Sequence, residues 1–81
     1  MNRNELIAEM QGVFREVLDN DEIELGDATT ANDIEEWDSL THIQLIVATE
    51  KHFGIKLDSR EILSWNNVGE MADAILKRLG K

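Results

Sequence analysis

Leu6, Ile7, Met10, Val13, Phe14, Val17 and Leu18 repeat at the three- and four-residue spacing of a single helical stripe. The same period returns near the C-terminus in Val68, Met71, Ala72, Ile75, Leu76 and Leu79. Between them, no segment alternates apolar and polar residues for long enough to make a paired strand, and there is no proline. A chain patterned this way is restricted to an all-α fold. Its 81 residues suffice for one domain, residues 1–81. The expected architecture is a four-helix bundle with three longer helices and one short one.

The helices are predicted over residues 5–18, 39–53, 59–63 and 68–79. Asn2 and Glu5, Asp58 and Glu61, and Asn67 and Glu70 have capping-box spacing. Asp38 is placed to cap the second helix, and Gly54 to end it. Residues 19–38 form a long connection rich in aspartate, with Gly26, Thr29, Thr30 and Asn32. Ile23, Leu25 and Ile34 are expected to tuck it onto the core. A connection of this length within so small a domain is often functional.

Charge narrows the function classes. Seventeen acids against eight basic residues give a net charge of −9. A phosphate backbone is repelled by such a chain, so nucleic acid is excluded as a partner. Ten of the acids lie between Glu16 and Asp38, and no Lys or Arg occurs from Glu16 to Glu50. The segment is either a solvated loop or a docking surface for basic partners. The chain has no cysteine, hence no disulfide framework and no thiolate of its own. That fits a reducing, cytoplasmic setting. No apolar run reaches the ~20 residues of a membrane span, and residues 1–5 lack a signal-peptide pattern, so no membrane insertion is expected. Nothing in the sequence signals an oligomer, and a monomer is expected.

The second helix carries two apolar faces. Leu45, Ile46 and Phe53, with Thr49, fall on one side. Leu40, Ile43 and Val47 fall on a neighbouring side at i, i+3, i+7. The second face is either wider burial or a partner surface. Ser39 opens this helix, where the dipole favours an attached anion.

Other chemistries fail on spacing. Ser39 and His42 are one turn apart but lack a G-x-S-x-G elbow, and so short a chain has little volume for a catalytic pocket. His42 and His52 have no thiolate helpers for zinc. His42 reads as partly packed and His52 as a surface residue. Asp19-x-Asp21 begins like a calcium loop, but Ile23 and Glu24 stand where an oxygen ligand and a glycine belong. Trp37 and Trp65 are too far apart in sequence to argue a stacking site. Each reads as an anchor at the core edge.

Trp37-Asp38-Ser39-Leu40 and the stretch D-S-L-T-H-I-Q-L-I-V-A-T-E-K-H-F-G-I-K-L, residues 38–57, resemble the acyl carrier protein family. The resemblance extends over nearly the whole chain. It implies that Ser39 is the attachment site of 4′-phosphopantetheine, moved from coenzyme A by a phosphopantetheinyl transferase. The arm's thiol would hold an acyl or aminoacyl group as a thioester, so the chain would be a shuttle and not an enzyme. Asp38 resembles the motif aspartate, which caps the helix and faces the transferase. Leu40, Ile43 and Val47 fall where the family docks its partners, and Glu35, Glu36 and Glu50 are the acids beside them. Leu45, Ile46, Phe53, Ile55 and Ile62 would line the inner core. The implied partners are the transferase, an acyl- or aminoacyl-loading ligase, and downstream acyltransferases or synthases.

The sequence also departs from the family's common pattern. Residues 39–53 contain one acid, Glu50, whereas carriers of fatty acid synthesis usually have a strongly acidic second helix. Trp37 replaces the small residue common in housekeeping carriers. Paired glycines typical of peptidyl carriers are absent. A discrete acyl carrier of a dedicated pathway is the leading expectation. An aminoacyl carrier and a helical adaptor without an arm are the alternatives.

The carboxylates between Glu16 and Asp38 repel one another at neutral pH. Added monovalent salt is therefore expected to raise the thermal midpoint, read by circular dichroism. A midpoint insensitive to salt would refute this.

Overall fold

Asn2 accepts the Glu5 amide hydrogen bond at 2.8 Å, and the Glu5 carboxylate accepts from the Asn2 amide at 3.1 Å. This reciprocal cap starts α1, Arg3–Val17. The helix begins two residues before the predicted start, at the position the capping box itself dictates. The computed structural model describes residues 2–80. After α1 come a short 3₁₀ turn, Ala31–Asp33, then α2, Ser39–Phe53, α3, Ser59–Ser64, and α4, Val68–Arg78. There is no strand among the described residues, as the periodicity requires.

α1 is the element against which both α2 and α4 pack. Its stripe is buried: Leu6, Met10 and Phe14 are fully inaccessible, joined by Leu45 from α2 and Val68 and Ile75 from α4. Each such side chain contributes about 1.5–3 kcal/mol by leaving water. Phe53, Ile55 and Ile62, expected to line the core, pack at its margin and stay partly exposed. Thr49 is buried, and its hydroxyl has no hydrogen-bond partner among the described residues. An orphan of this kind costs about 1–3 kcal/mol.

Helix ends follow the sequence with two corrections. Asp58 caps α3 through the Arg60 amide, but Glu61 does not complete the box. It is paired with Arg78 of α4 instead. Asn67 caps α4 at Glu70, whereas the Glu70 carboxylate accepts from Asn66, one residue earlier than a capping box requires. Gly54 ends α2 with φ 67°, in the left-handed region that glycine adopts without strain.

Residues 19–38 are an ordered strap. Ile23 and Ile34 are buried. The Leu25 amide donates to Gln11 at 2.9 Å, and Arg15 donates to the Ile23 carbonyl at 2.8 Å. The carbonyls of Thr29 and Asp27 accept from the Val68 and Gly69 amides at 2.8 and 2.9 Å. These are helix-start donors that α4 cannot satisfy internally. Arg3 reinforces the junction by pairing with Asp27 and Asp73 and donating to the Gly69 carbonyl. The 3₁₀ turn escaped the sequence reading, although the Asp33 carboxylate accepts from the Thr30 amide at 2.9 Å and from its hydroxyl at 3.2 Å.

Gly69 sits where strap and helix touch. A Cβ there would lie 2.9 Å from the Asp27 carbonyl oxygen. Gly69→Ala is expected to destabilise the fold by about 1–3 kcal/mol, because backbone must move to admit it. Urea unfolding checks this, and a variant as stable as the parent would show that the strap yields freely.

Candidate functional site

The strap delivers the chain to α2 through one set of bonds. The Asp38 carboxylate accepts from the Leu40 and Thr41 amides at 3.0 and 2.9 Å. The Thr41 hydroxyl accepts from the Asp38 amide at 2.8 Å and donates to the Glu36 carbonyl at 2.8 Å. Thr41 is thus the partner that completes the cap, a role the sequence reading missed. The signal was D-x-x-T, a capping box with threonine in place of Glu or Gln. The bond from the Thr41 amide, helped by the Thr41 hydroxyl and the Leu40 amide, holds the Asp38 carboxyl below the usual aspartate range.

Ser39 occupies the first helical position and is exposed. Its hydroxyl has no hydrogen-bond partner among the described residues. The dipole at this helix start was expected to favour an attached anion, and most of the first-turn amides are already engaged. Asp38 already occupies the Leu40 and Thr41 amides, and the Asp38 carbonyl occupies that of His42. An anion at Ser39 meets the field of the helix dipole and the amide of Ser39 itself, which has no hydrogen-bond partner among the described residues.

Beside Ser39 lies a groove of about 400 Å³ between α2 and the segment from α3 to the start of α4. Trp37, His42, Trp65, Ile62 and Leu63 wall it, and Met71 lies among its lining residues. His42 stands between the two tryptophans. Its ring stacks on Trp37, with centroids 5.9 Å apart, and meets Trp65 edge-on at 6.4 Å. The Trp37 indole donates to His42 Nδ1 at 3.0 Å. Sequence separation had argued against a shared tryptophan site; the fold brings both residues to one groove through a histidine.

The second apolar face of α2 is uncovered. Leu40 is 70% exposed, Ile43 55% and Val47 45%, and Leu63 of α3 is 81% exposed. Glu35 is exposed in the strap, and Glu36 accepts from Asn20 at 2.9 Å. Glu50 departs from the expected partner surface. It is half-buried and accepts from the Leu57 amide at 2.7 Å, tying the link after α2 to that helix. His52 pairs with Glu9 of α1 at 2.8 Å. No group of three or more potential metal ligands occurs among the described residues.

The residues present fit a phosphopantetheine group: a free hydroxyl at a helix start, and a mixed polar and apolar groove beside it. Comparison with known proteins agrees. Residues 8–75 match the family described as "Phosphopantetheine attachment site". An acyl carrier protein of Thermotoga maritima is 28% identical over 79 residues, covering 98% of each chain. The solution structure of a holo acyl carrier protein from Geobacter metallireducens superposes with a TM-score of 0.87 at 43% identity, covering 93% of this chain and 86% of that one.

Because the Asp38 carboxyl titrates below its unfolded value, its contribution is complete above the ordinary aspartate range and is lost as pH falls through the folded value. Asp38→Ala is expected to lower the thermal midpoint at neutral pH by a few degrees, as for one lost cap in a small domain. In the parent, the Asp38 carboxyl is expected to titrate below the ordinary aspartate range by NMR. An ordinary midpoint would show that the cap is not formed.

Proposed function

Since the chain belongs to the phosphopantetheine-attachment family of acyl carrier proteins, we propose that Ser39 is the residue that bears its covalent 4′-phosphopantetheine. The observation that carries this is the exposed, unbonded Ser39 hydroxyl at the first turn of a helix whose other free amides are already capped. The group supplies a long arm ending in a thiol, the nucleophile that a chain without cysteine lacks.

This chain's own residues hold and present the attachment point. Asp38 and Thr41 fix the helix start, so Ser39 is offered in one orientation. The Asp38 carboxylate lies next to the incoming phosphate. Its charge is spread into two amide bonds, and the helix dipole offsets the remaining repulsion. As the Ser39 oxygen bonds to the phosphorus that carries the pantetheine arm, the pyrophosphate bond of coenzyme A would break, adenosine 3′,5′-bisphosphate would leave, and the Ser39 hydroxyl proton must go to a base. Among the described residues no base contacts that hydroxyl, so we assign the base to the transferase.

The docking surface is read from exposure and charge. Leu40, Ile43 and Val47 offer an apolar centre without acids of its own. The flanking charge lies upstream, at Glu35 and Glu36 in the strap. Partners that fit place an apolar pocket over α2 and basic residues toward the strap. A carrier that instead read its partners along an acidic α2 would need acids that residues 39–53 lack, Glu50 being engaged inside the fold. This distribution supports a carrier of a dedicated pathway, which we place in the cytoplasm with a loading ligase and downstream acyltransferases or synthases. Catalysis belongs to those partners.

The test is an intact mass after incubation with coenzyme A and a broad-specificity phosphopantetheinyl transferase. The parent is expected to gain one phosphopantetheine group, and Ser39→Ala none. A gain retained in the variant moves the site elsewhere. No gain in folded parent protein with two active transferases would overturn the assignment.

A further inference from the structure

His42 is the one side chain that joins three separate parts of the groove. It belongs to α2, one turn after Ser39. On one side its Nδ1 accepts the Trp37 indole hydrogen at 3.0 Å, which anchors the end of the strap. An accepting Nδ1 places the neutral ring's proton on Nε2. That nitrogen faces the Ile62 carbonyl of α3 at 3.4 Å, and the ring edge meets Trp65 just after α3.

α3 has little else to hold it. None of its residues is buried. Leu63 points outward, Ile62 packs only partly, and the ion pair of Glu61 with Arg78 lies at the surface. Such an element sits at the low-stability end of a domain. A long hydrogen bond and an aromatic edge from one imidazole are therefore a sizeable share of its attachment.

We infer that His42 is a pH-sensitive clamp: neutral, it holds Trp37 and α3 together across the groove beside Ser39, and protonated, it releases them. Protonation puts a hydrogen on Nδ1, which then confronts the Trp37 N–H, donor against donor. The bond cannot survive in that orientation. The charged acceptor within the groove for the new N–H is Asp38, four residues earlier at the cap of α2. It is the one other ionisable residue that lines the groove. The strap contributes Ala31 and Trp37 to the lining, α3 Ile62 and Leu63, and α4 Met71, none of them charged. Glu61, the nearest acid on α3, is occupied by Arg78. A ring turned toward Asp38 swings away from Ile62 and Trp65, and the α3 wall loosens. Stacking of the imidazolium on Trp37 opposes the turn, but it leaves the buried-edge N–H of the indole unpaired.

The consequence for cargo rests on the assignment of the arm to Ser39: whatever the arm lays into the groove would be held at neutral pH and freed in acid. The clamp itself is tested without the arm. In ¹⁵N-labelled full-length apo protein, ring-nitrogen spectra report the His42 tautomer and charge, and amide exchange reports protection at Leu63 and Ser64. The expected tautomer is Nε2–H. Between about pH 8 and about pH 5, where histidines titrate, protection of those amides relative to α1 is expected to fall about fivefold, the ratio for one ordinary hydrogen bond. His42→Gln can accept from Trp37 and donate to Ile62 without titrating, so its protection is expected to stay high at both pH values. His42→Phe, if folded, is expected to be low at both. His52→Gln is expected to keep the transition. A neutral Nδ1–H tautomer, protection that stays constant while His42 titrates, or an unchanged transition in His42→Gln would overturn the clamp. None of these outcomes touches the mass test of Ser39, so the two readings fail separately.

Discussion

Packing on α1 is the constraint from which the rest of the structure follows. One helix of 15 residues buries a stripe wide enough for two neighbours, α2 and α4. Among the described residues there is no further long helix to lay over the outside of α2. The Leu40, Ile43 and Val47 face is therefore left in water, and α3 is a short piece fastened by side chains and not by a packed stripe. An open apolar face and a loosely held groove wall are ordinarily liabilities. In a protein that must be gripped in turn by several enzymes, they are where the gripping can happen.

The strap of residues 19–38 converts that packing into a fixed presentation of Ser39. Its two carbonyls at Asp27 and Thr29 cap the start of α4, while its far end is pinned by Thr41 and His42 of α2. The acidic segment is thus part of the scaffold at both ends and exposes charge in the middle. Its cost is self-repulsion among carboxylates, and Arg3 and Arg15 each take up part of the strain by bonding into it.

The helices and their order were legible in the sequence because apolar period and capping residues are local signals. α2 was bounded at both ends by Asp38 and Gly54. The uncovered face was visible as a surplus: a helix with two apolar sides had one more than a small core could use. What the sequence concealed depended on contacts distant in the chain. Glu61 chose Arg78 over its own helix start, and Glu50 turned to the Leu57 amide, because backbone and charge brought close by folding outbid the local partner. Trp37 and Trp65 gave no sign of sharing a site. Their common neighbour, His42, is related to Trp65 only through the path of the chain around the groove. Thr41 was hidden differently: its capping pattern was local, but threonine is not the residue usually sought there.

The aromatic content of the chain gives the groove an optical identity. The protein has two tryptophans and no tyrosine. Both indoles wall the space beside Ser39. Nearly all intrinsic emission therefore originates within a side chain or two of Ser39. A molecule entering or leaving that space changes the polarity around both indoles. Occupancy of that space is therefore readable from tryptophan emission without a label.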